Sequence, residues 1–218
     1  MLAPFKFIQI KEIPVKSWSS PHSLSLKPKG ITLFYLFIGL FIFGFGEGLI
    51  LVSSNGNSPW LVFAEGLTKI TGLTVGGATF LISVTVLLLW IFLRQKPGIG
   101  TIMNIFIIAA VIDLTAYLID PPSNYFLRYS FSIVGVFLVG LGSGFYLIAN
   151  LGPGPRDGLM TGLNRISHLP IALIRASIEI TVVLIGWYLG GTVGVGTLIF
   201  AFGIGPCVAL GLTVVKKI

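Results

Sequence analysis

Charge is scarce in this sequence: 10% of its 218 residues are charged and 55% are apolar, with a mean hydropathy of +0.99. A water-soluble domain carries roughly 25% charged residues, so this composition excludes an ordinary aqueous surface. Hydrocarbon is the solvent that suits it. The single cysteine, Cys207, lies in an apolar stretch and excludes a disulfide framework. Two isolated histidines, His22 and His168, make no typical zinc site with that one distant cysteine. HExxH, GxSxG and Walker patterns are all missing, so metalloprotease, hydrolase and ATPase readings lack support. No nucleophile–base pair stands in the spans, and the expectation is a non-enzyme without cofactor or metal. The length leaves no room for a second, soluble domain beside six spans of about 20 residues.

What is present is a set of long apolar runs and a basic excess. The formal net charge is +7, but the basic residues cluster in a tail and at the ends of apolar runs. That distribution is topogenic and does not suggest nucleic acid. Residues 1–30 hold Lys6, Lys11, Lys16, Lys27 and Lys29 among Ser and Pro, without the apolar core of a signal peptide. They read as a partly disordered cytoplasmic tail, lying on anionic lipid through Phe5, Phe7, Ile8 and Trp18. Six runs are long enough to span: 31–53, 73–93, 101–119, 130–150, 169–189 and 196–215. Segments 55–71 and 151–168 are too short and polar to span. Each reads as a Gly/Pro turn followed by a short amphipathic helix.

The sequence repeats. Sliding it by 96 residues aligns 44–114 with 140–210 without a gap, and 21 of 71 positions are identical. Composition alone gives roughly 6, and self-similarity at a fixed offset marks a repeat. Gly56 and Pro59 fall on Gly152 and Pro155; Gly98, Gly100 and Thr101 fall on Gly194, Gly196 and Thr197. Each half holds three spans and one short helix, and an odd number of spans forces the second half to enter from the opposite side. The expected fold is therefore an all-α membrane protein: six transmembrane helices in a 3+3 inverted-topology repeat, each half with a short re-entrant or interfacial helix. Its divisions are the tail at 1–30, a first three-helix repeat at 31–120, an outer linker at 121–129 and a second repeat at 130–218. With both termini inside, the cytoplasmic face receives the tail lysines, Arg94, Lys96, Arg156, Arg165, Lys216 and Lys217. The outer face receives Lys69 and Arg128, a strong positive-inside bias that fits an inner-membrane protein with both termini cytoplasmic.

Gly44 and Gly48 on the first span, with Gly140 and Gly144 on the fourth, form small-residue stripes of the kind that let helices approach. They are expected to mark a crossing of those two spans near a pseudo-twofold axis. Trp60, Trp90 and Trp187 stand near span ends and read as interface anchors.

The blocks LGPGPRDGLMTGL at 151–163, IRASIE at 174–179, GWYLGGTVGVGT at 186–197 and RQKPGIGT at 94–101 are similar to the bacterial YczE-like integral membrane family. That family is related more loosely to the YitT-type membrane proteins. The resemblance covers about residues 35–212 and implies a small multi-spanning protein of the bacterial cytoplasmic membrane. It implies no biochemical activity.

The candidate site centres on Gly152, Gly154, Arg156, Asp157 and Gly158. Pro155 suits the first turn of a helix, and glycines before it let backbone approach a ligand or a neighbouring helix. Free amides at a helix start, beside a guanidinium, suit carboxylate, sulfate or phosphate. The plainer alternative is an interfacial Arg156 and an Asp157 that caps the helix and pairs with a nearby Arg. Arg175 and Glu179 lie four apart on one face of the fifth span, roughly 9 and 15 Å inside its start. Charges at such depth cost on the order of 3 kcal/mol each and face the bundle interior or a wet cavity. Their repeat mates, Thr79 and Ser83, are also polar. A pathway role and a structural ion-pair network stay open for them. Glu47 and Asp113 are further carboxylates within spans, with no acidic mate in the repeat. An acid alone in hydrocarbon takes up a proton, which makes both candidates for proton coupling or for neutral hydrogen bonding between helices.

The leading functional expectation is a permease or secondary transporter for a small anionic or zwitterionic solute. The alternative is a non-transporting membrane subunit or scaffold that binds a partner, such as an importer component with a separate ATPase subunit or an export or biosynthesis helper. Partners are then the lipid bilayer and a solute, with a homo-oligomer or a partner subunit left open and no nucleic acid.

Overall fold

The computed structural model describes residues 13–218. Among them are eight helices: α1 (Gly30–Ser53), α2 (Pro59–Thr71), α3 (Val75–Phe92), α4 (Ile99–Leu118), α5 (Tyr125–Ala149), α6 (Pro155–Ser167), α7 (Ile171–Tyr188) and α8 (Val195–Val215). Six of them, all but α2 and α6, are long and apolar enough to cross a membrane. They fall where hydropathy puts them, except that α5 begins at Tyr125, inside the stretch expected to be linker. Large apolar side chains stand on the outside, with Phe92, Tyr188 and Phe202 more than four-fifths exposed. Such a surface is stable against lipid and not against water.

Local chemistry fixes the breaks. Pro59 and Pro155 open α2 and α6, each just after an extended residue, Ser58 and Gly154. Proline at this position gives up no intrahelical hydrogen bond. The turns before them hold Gly56 at φ +107° and Gly152 at φ +106°, a region that disfavours any other residue. Helix ends recur at the 96-residue spacing too. Ser54 and Asn150 close α1 and α5 in left-handed geometry, and Gly72 and His168 close α2 and α6 likewise.

Packing is reciprocal between the halves. α1 and α5 form the centre, α4 lies on α1, and α8 lies on α5. The short helices cross over: α2 packs on α7, and α6 on α3. The loop after α1 docks on the start of α8, where the Gly196 amide donates to the Asn55 carbonyl at 2.7 Å. The loop after α5 docks on the start of α4 in the same way, Gly100 donating to Leu151 at 2.7 Å. Gly194 and Gly98 permit these contacts. A Cβ on Gly194 would lie 2.6 Å from the Asn55 carbonyl oxygen, and one on Gly98 would lie 2.3 Å from that of Leu151.

Two expectations need correction. The stripe of Gly44, Gly48, Gly140 and Gly144 does not make the crossing of the first and fourth spans. Gly44 and Gly48 meet Ile108 and Thr115 of α4, while Gly140 and Gly144 meet Cys207 and Gly211 of α8. The α1–α5 crossing runs on the neighbouring helix face. There Gly39 closes on Gly142, and Gly46 on the Gly135 carbonyl. Four-residue spacing announces a close contact without saying which helix makes it.

The tail is the second correction. Trp18 is 5% exposed and packs on Tyr35, with ring centroids 4.5 Å apart. The Ser20 amide donates to the Ala149 carbonyl at 3.0 Å, and Lys16 Nζ donates to the Lys216 carbonyl at 2.8 Å. Residues 16–20 thus close over the ends of α1, α5 and α8, and Trp18 packs on protein rather than standing outward toward lipid. Phe5, Phe7 and Ile8 lie outside the described residues.

Candidate functional site

The first turns of α2 and α6 meet. Trp60 is the second residue of α2 and Arg156 the second of α6, and the guanidinium carbon lies 5.1 Å from the centroid of the indole. A cation over an aromatic face is attracted by the ring quadrupole, more strongly when desolvated. On the other side, Arg156 Nη1 stands 3.8 Å from Glu47 Oε1 of α1. Glu47 is 1% exposed, and its Oε2 accepts from Ser58 Oγ at 2.7 Å. The buried carboxylate is therefore held by one cation and one hydroxyl.

The start of α6 is clamped. Trp90 Nε1 donates to the Pro155 carbonyl at 3.0 Å, and the same indole covers Gly158, where a Cβ would lie 1.9 Å from Trp90 Cζ2. Thr101 Oγ1 donates to the Pro153 carbonyl at 2.7 Å, holding the turn that contains Gly152 and Gly154. Asp157 sits in the first turn, where negative charge complements the helix dipole, and accepts from the Tyr146 hydroxyl. Trp60 and Trp90, 6% and 1% exposed, are thus interior residues and not interface anchors; Trp187 alone of the three is exposed. The start of α2 is buried in the bundle, and the Trp90 indole near the end of α3 turns inward onto α6, so nearness to a span end in sequence does not make either an outward-facing residue.

These groups line a chamber of about 230 Å³. Thr79 and Ser83 of α3 and Arg175 and Glu179 of α7 line it as well. Arg175 Nε donates to Glu179 Oε1 at 2.8 Å. Arg175 faces the chamber with its side chain 45% exposed, while Glu179 is 21% exposed. Its helix lies at the periphery, packed on α2 and α6 alone of its larger contacts. The ion pairs are two, Arg156 with Glu47 and Arg175 with Glu179, around one space. Gly154 and Asp157 line the same chamber; Gly152 and Gly158 support it from behind.

Asp113 stands elsewhere. It accepts from Thr74 Oγ1 at 2.6 Å and from the Gly76 amide at 2.7 Å, so it caps the start of α3 from α4. Glu65, not singled out from sequence, has a comparable role. It accepts from Asn57, from the Thr192 amide at 2.6 Å and from the Thr192 hydroxyl, tying α2 to the loop before α8.

Sequence reasoning missed Tyr146, Ser58 and the role of Trp60. A signal for Trp60 existed, because it is the repeat mate of Arg156. Three buried polar atoms in the chamber wall lack a hydrogen-bond partner: Trp60 Nε1, Thr79 Oγ1 and Glu47 Oε1. Buried polar atoms in proteins are nearly always bonded; among the described residues Trp60 Nε1 and Thr79 Oγ1 have no partner, and Glu47 Oε1 has only the Arg156 cation at 3.8 Å. The chamber holds two guanidinium groups against three carboxyls, and the two helix starts add partial positive charge. That near balance suits a group carrying little net charge or one anionic head.

Residues 30–212 match a family described as "Family of unknown function (DUF6198)". The chain is 39% identical over 210 residues to an uncharacterized protein of Haemophilus influenzae, covering 96% of this chain and 95% of that protein. It is 33% identical over 169 residues to the uncharacterized membrane protein YczE of Bacillus subtilis, covering 77% of this chain and 79% of that one. A third relative, the uncharacterized protein YyaS of Bacillus subtilis, is 30% identical over 171 residues, 76% of this chain and 84% of the relative. No solved structure matches the chain significantly.

Proposed function

This chain belongs to the DUF6198 family of YczE-like membrane proteins, and on that premise we propose that it is a permease, a secondary transporter for an anionic or zwitterionic solute. The observation that carries this reading is Arg156, held between Glu47 and Trp60 at the meeting of two helix starts, inside a chamber with unbonded polar walls. Discontinuous helices that meet away from the membrane surface are how many transporters form a substrate site. In this reading Arg156, Asp157 and the amides of the first turn of α6 hold the solute, and Arg175 and Glu179 complete the site. Glu47 carries a proton when solute displaces its contact with Arg156. Asp113, as a cap on α3, has no place in that path.

The same reading sets the two halves in opposite orientations in the inner membrane, with both termini cytoplasmic and α2 and α6 re-entrant from opposite faces. Support comes from the reciprocal contacts at the 96-residue spacing and from the grouping of cations. Lys16 bonds to the chain end at Lys216, and Arg165 bonds to the carbonyl of Leu93, all at one end of the bundle. A partner-binding subunit docked through its tail is less well supported, because Lys16, Trp18 and Lys29 are engaged on the chain's own backbone and helices.

The test is flux into proteoliposomes across a panel of small acids and amino acids, with Arg156→Ala beside the wild type. Uptake that Arg156→Ala abolishes is the expected result. No flux for any solute, with Arg156→Ala fully active in cells, overturns the proposal.

A further inference from the structure

A second space adjoins the chamber. It is a cleft of about 440 Å³ between α3 and α7, walled by Ile82, Val86, Ile178 and Val182 and floored by Leu159. α3 and α7 barely meet, so the cleft opens sideways, and Leu81 and Leu89 at its rim are each 44% exposed. Its threonines ask nothing of a ligand: Thr85 Oγ1 donates to the Leu81 carbonyl at 2.9 Å and Thr181 Oγ1 to that of Ser177 at 2.7 Å. Among the described residues, none of the cleft's side chains other than Trp60 has a buried polar atom without a hydrogen bond, whereas Trp60 Nε1, Thr79 Oγ1 and Glu47 Oε1 belong to residues that line the chamber. Trp60 is the one residue that lines both spaces.

Size divides in the same way. Sites for small molecules run from about 300 to 1,000 Å³. The chamber, at about 230 Å³, falls short of that range, and the cleft reaches it. The chamber alone suits a head group, with the Arg156 guanidinium and the donors of Trp60 and Thr79 to orient it. The cleft alone suits a hydrocarbon chain, which reaches it from the bilayer without crossing water.

Building on the permease reading, we propose that the transported or bound molecule is a single-chain amphiphile. Its anionic head lies against Arg156, Trp60 Nε1 and Thr79 Oγ1, and its acyl chain lies in the α3–α7 cleft. The two parts of the site come from both halves of the chain. Ile82 and Val86 recur as Ile178 and Val182 at the 96-residue spacing, so the cleft walls match while the chamber walls differ.

The test uses full-length protein in nanodiscs of unbrominated lipid, with Trp187→Phe removing the exposed indole. Dibromostearate is titrated and tryptophan fluorescence read, since bromine quenches at contact and Trp60 stands at the junction. Saturable quenching is expected. Ile82→Phe, Thr181→Phe and Arg156→Gln should each raise the half-saturation concentration about tenfold. Thr181→Phe fills the exposed mouth and keeps the test valid if Ile82→Phe does not fold. A dibrominated alkane of equal length should not saturate. The proposal is overturned if the acid quenches only linearly, if the alkane matches it, or if both filled clefts leave the curve unchanged. A parallel thermal-shift arm uses acetate, glutamate and glycine. Arg156-dependent stabilisation there, with no saturable quenching, overturns the amphiphile and leaves a small-solute permease standing. Failure of both arms removes both readings.

Discussion

Trp60 and Arg156 stand 96 positions apart, at equivalent places in the two halves, and touch each other, ring centroid to guanidinium carbon, at 5.1 Å. Residues that meet their own counterparts lie where a twofold relation would have its axis, as in an isologous contact. The scaffold has duplicated the position, and the chemistry has diverged there into an aromatic face and a cation. A double-mutant cycle of Trp60→Leu with Arg156→Gln, read by thermal unfolding in detergent, should give a coupling energy of about 0.5–2 kcal/mol. Additive effects would mean the contact carries no energy.

Arg156 also answers the charge of Glu47. Glu47 is buried and the Arg156 side chain 22% exposed; removing the cation leaves a buried carboxyl uncompensated, at less than the roughly 3–5 kcal/mol of a fully buried pair, whereas neutralising both costs far less. Arg156→Gln alone should therefore lower the melting temperature markedly, and Glu47→Gln added to it should recover most of the loss. A double variant no more stable than the single would show that Glu47 does not depend on Arg156.

The α1–α5 crossing has no room to spare. An alanine Cβ at Gly46 would lie 2.7 Å from the Gly135 carbonyl oxygen and 2.8 Å from the Val139 amide, both backbone. Gly46→Ala should destabilise by about 1–3 kcal/mol through forced separation of the helices. Gly205 of α8 has nothing within 4 Å. Gly205→Ala should be neutral or stabilising, by up to about 1 kcal/mol of helix propensity. Unfolding of purified variants by denaturing detergent reads both.

Spans and breaks were legible from sequence because hydropathy and proline act locally. The 13-residue helices opening at Pro59 and Pro155 follow from a Gly-rich turn and a proline alone. The 96-residue register likewise survives in glycines that tolerate no side chain. What could not be read was which face meets which neighbour. In lipid the outward face is as apolar as the packed one, so no periodicity separates Phe37, half exposed, from Leu36, 1% exposed. For the same reason Trp60 looked like an interfacial anchor. Residues 16–20 read as solvated tail because Ser, Pro and Lys dominate there, and one indole, Trp18, carries the packing that overrules them.

That packing gives another expected outcome. Trp18→Ala should lower stability by about 3–5 kcal/mol, as aromatic truncations in well-packed sites do. A circular-dichroism melt of the variant beside the wild type checks it. An unchanged melt would mean that the Trp18 packing carries no energy.

Orientation is open to a direct chemical check, since Cys207 is the only thiol. In a Cys207→Ser background, a cysteine at Asn124 or Gly190 should react with an impermeant maleimide from outside intact cells. One at Gln95 or Lys217 should react only after permeabilisation. The reverse pattern would invert the proposed topology.

The reciprocal docking of the two loops has a consequence for how the chain is made. The turn after α1 finds its hydrogen-bond partners at Thr192 and Gly196, more than 130 residues later in synthesis. The first half therefore leaves the ribosome with its Asn55 carbonyl and Asn57 amide unmatched in the bundle, and α2 without α7 beside it. Each half finds partners for its loop groups only in the other. A nascent chain stopped after residue 120 is an incomplete object that quality-control proteases should recognise, and supplying residues 121–218 as a separate polypeptide should rescue it.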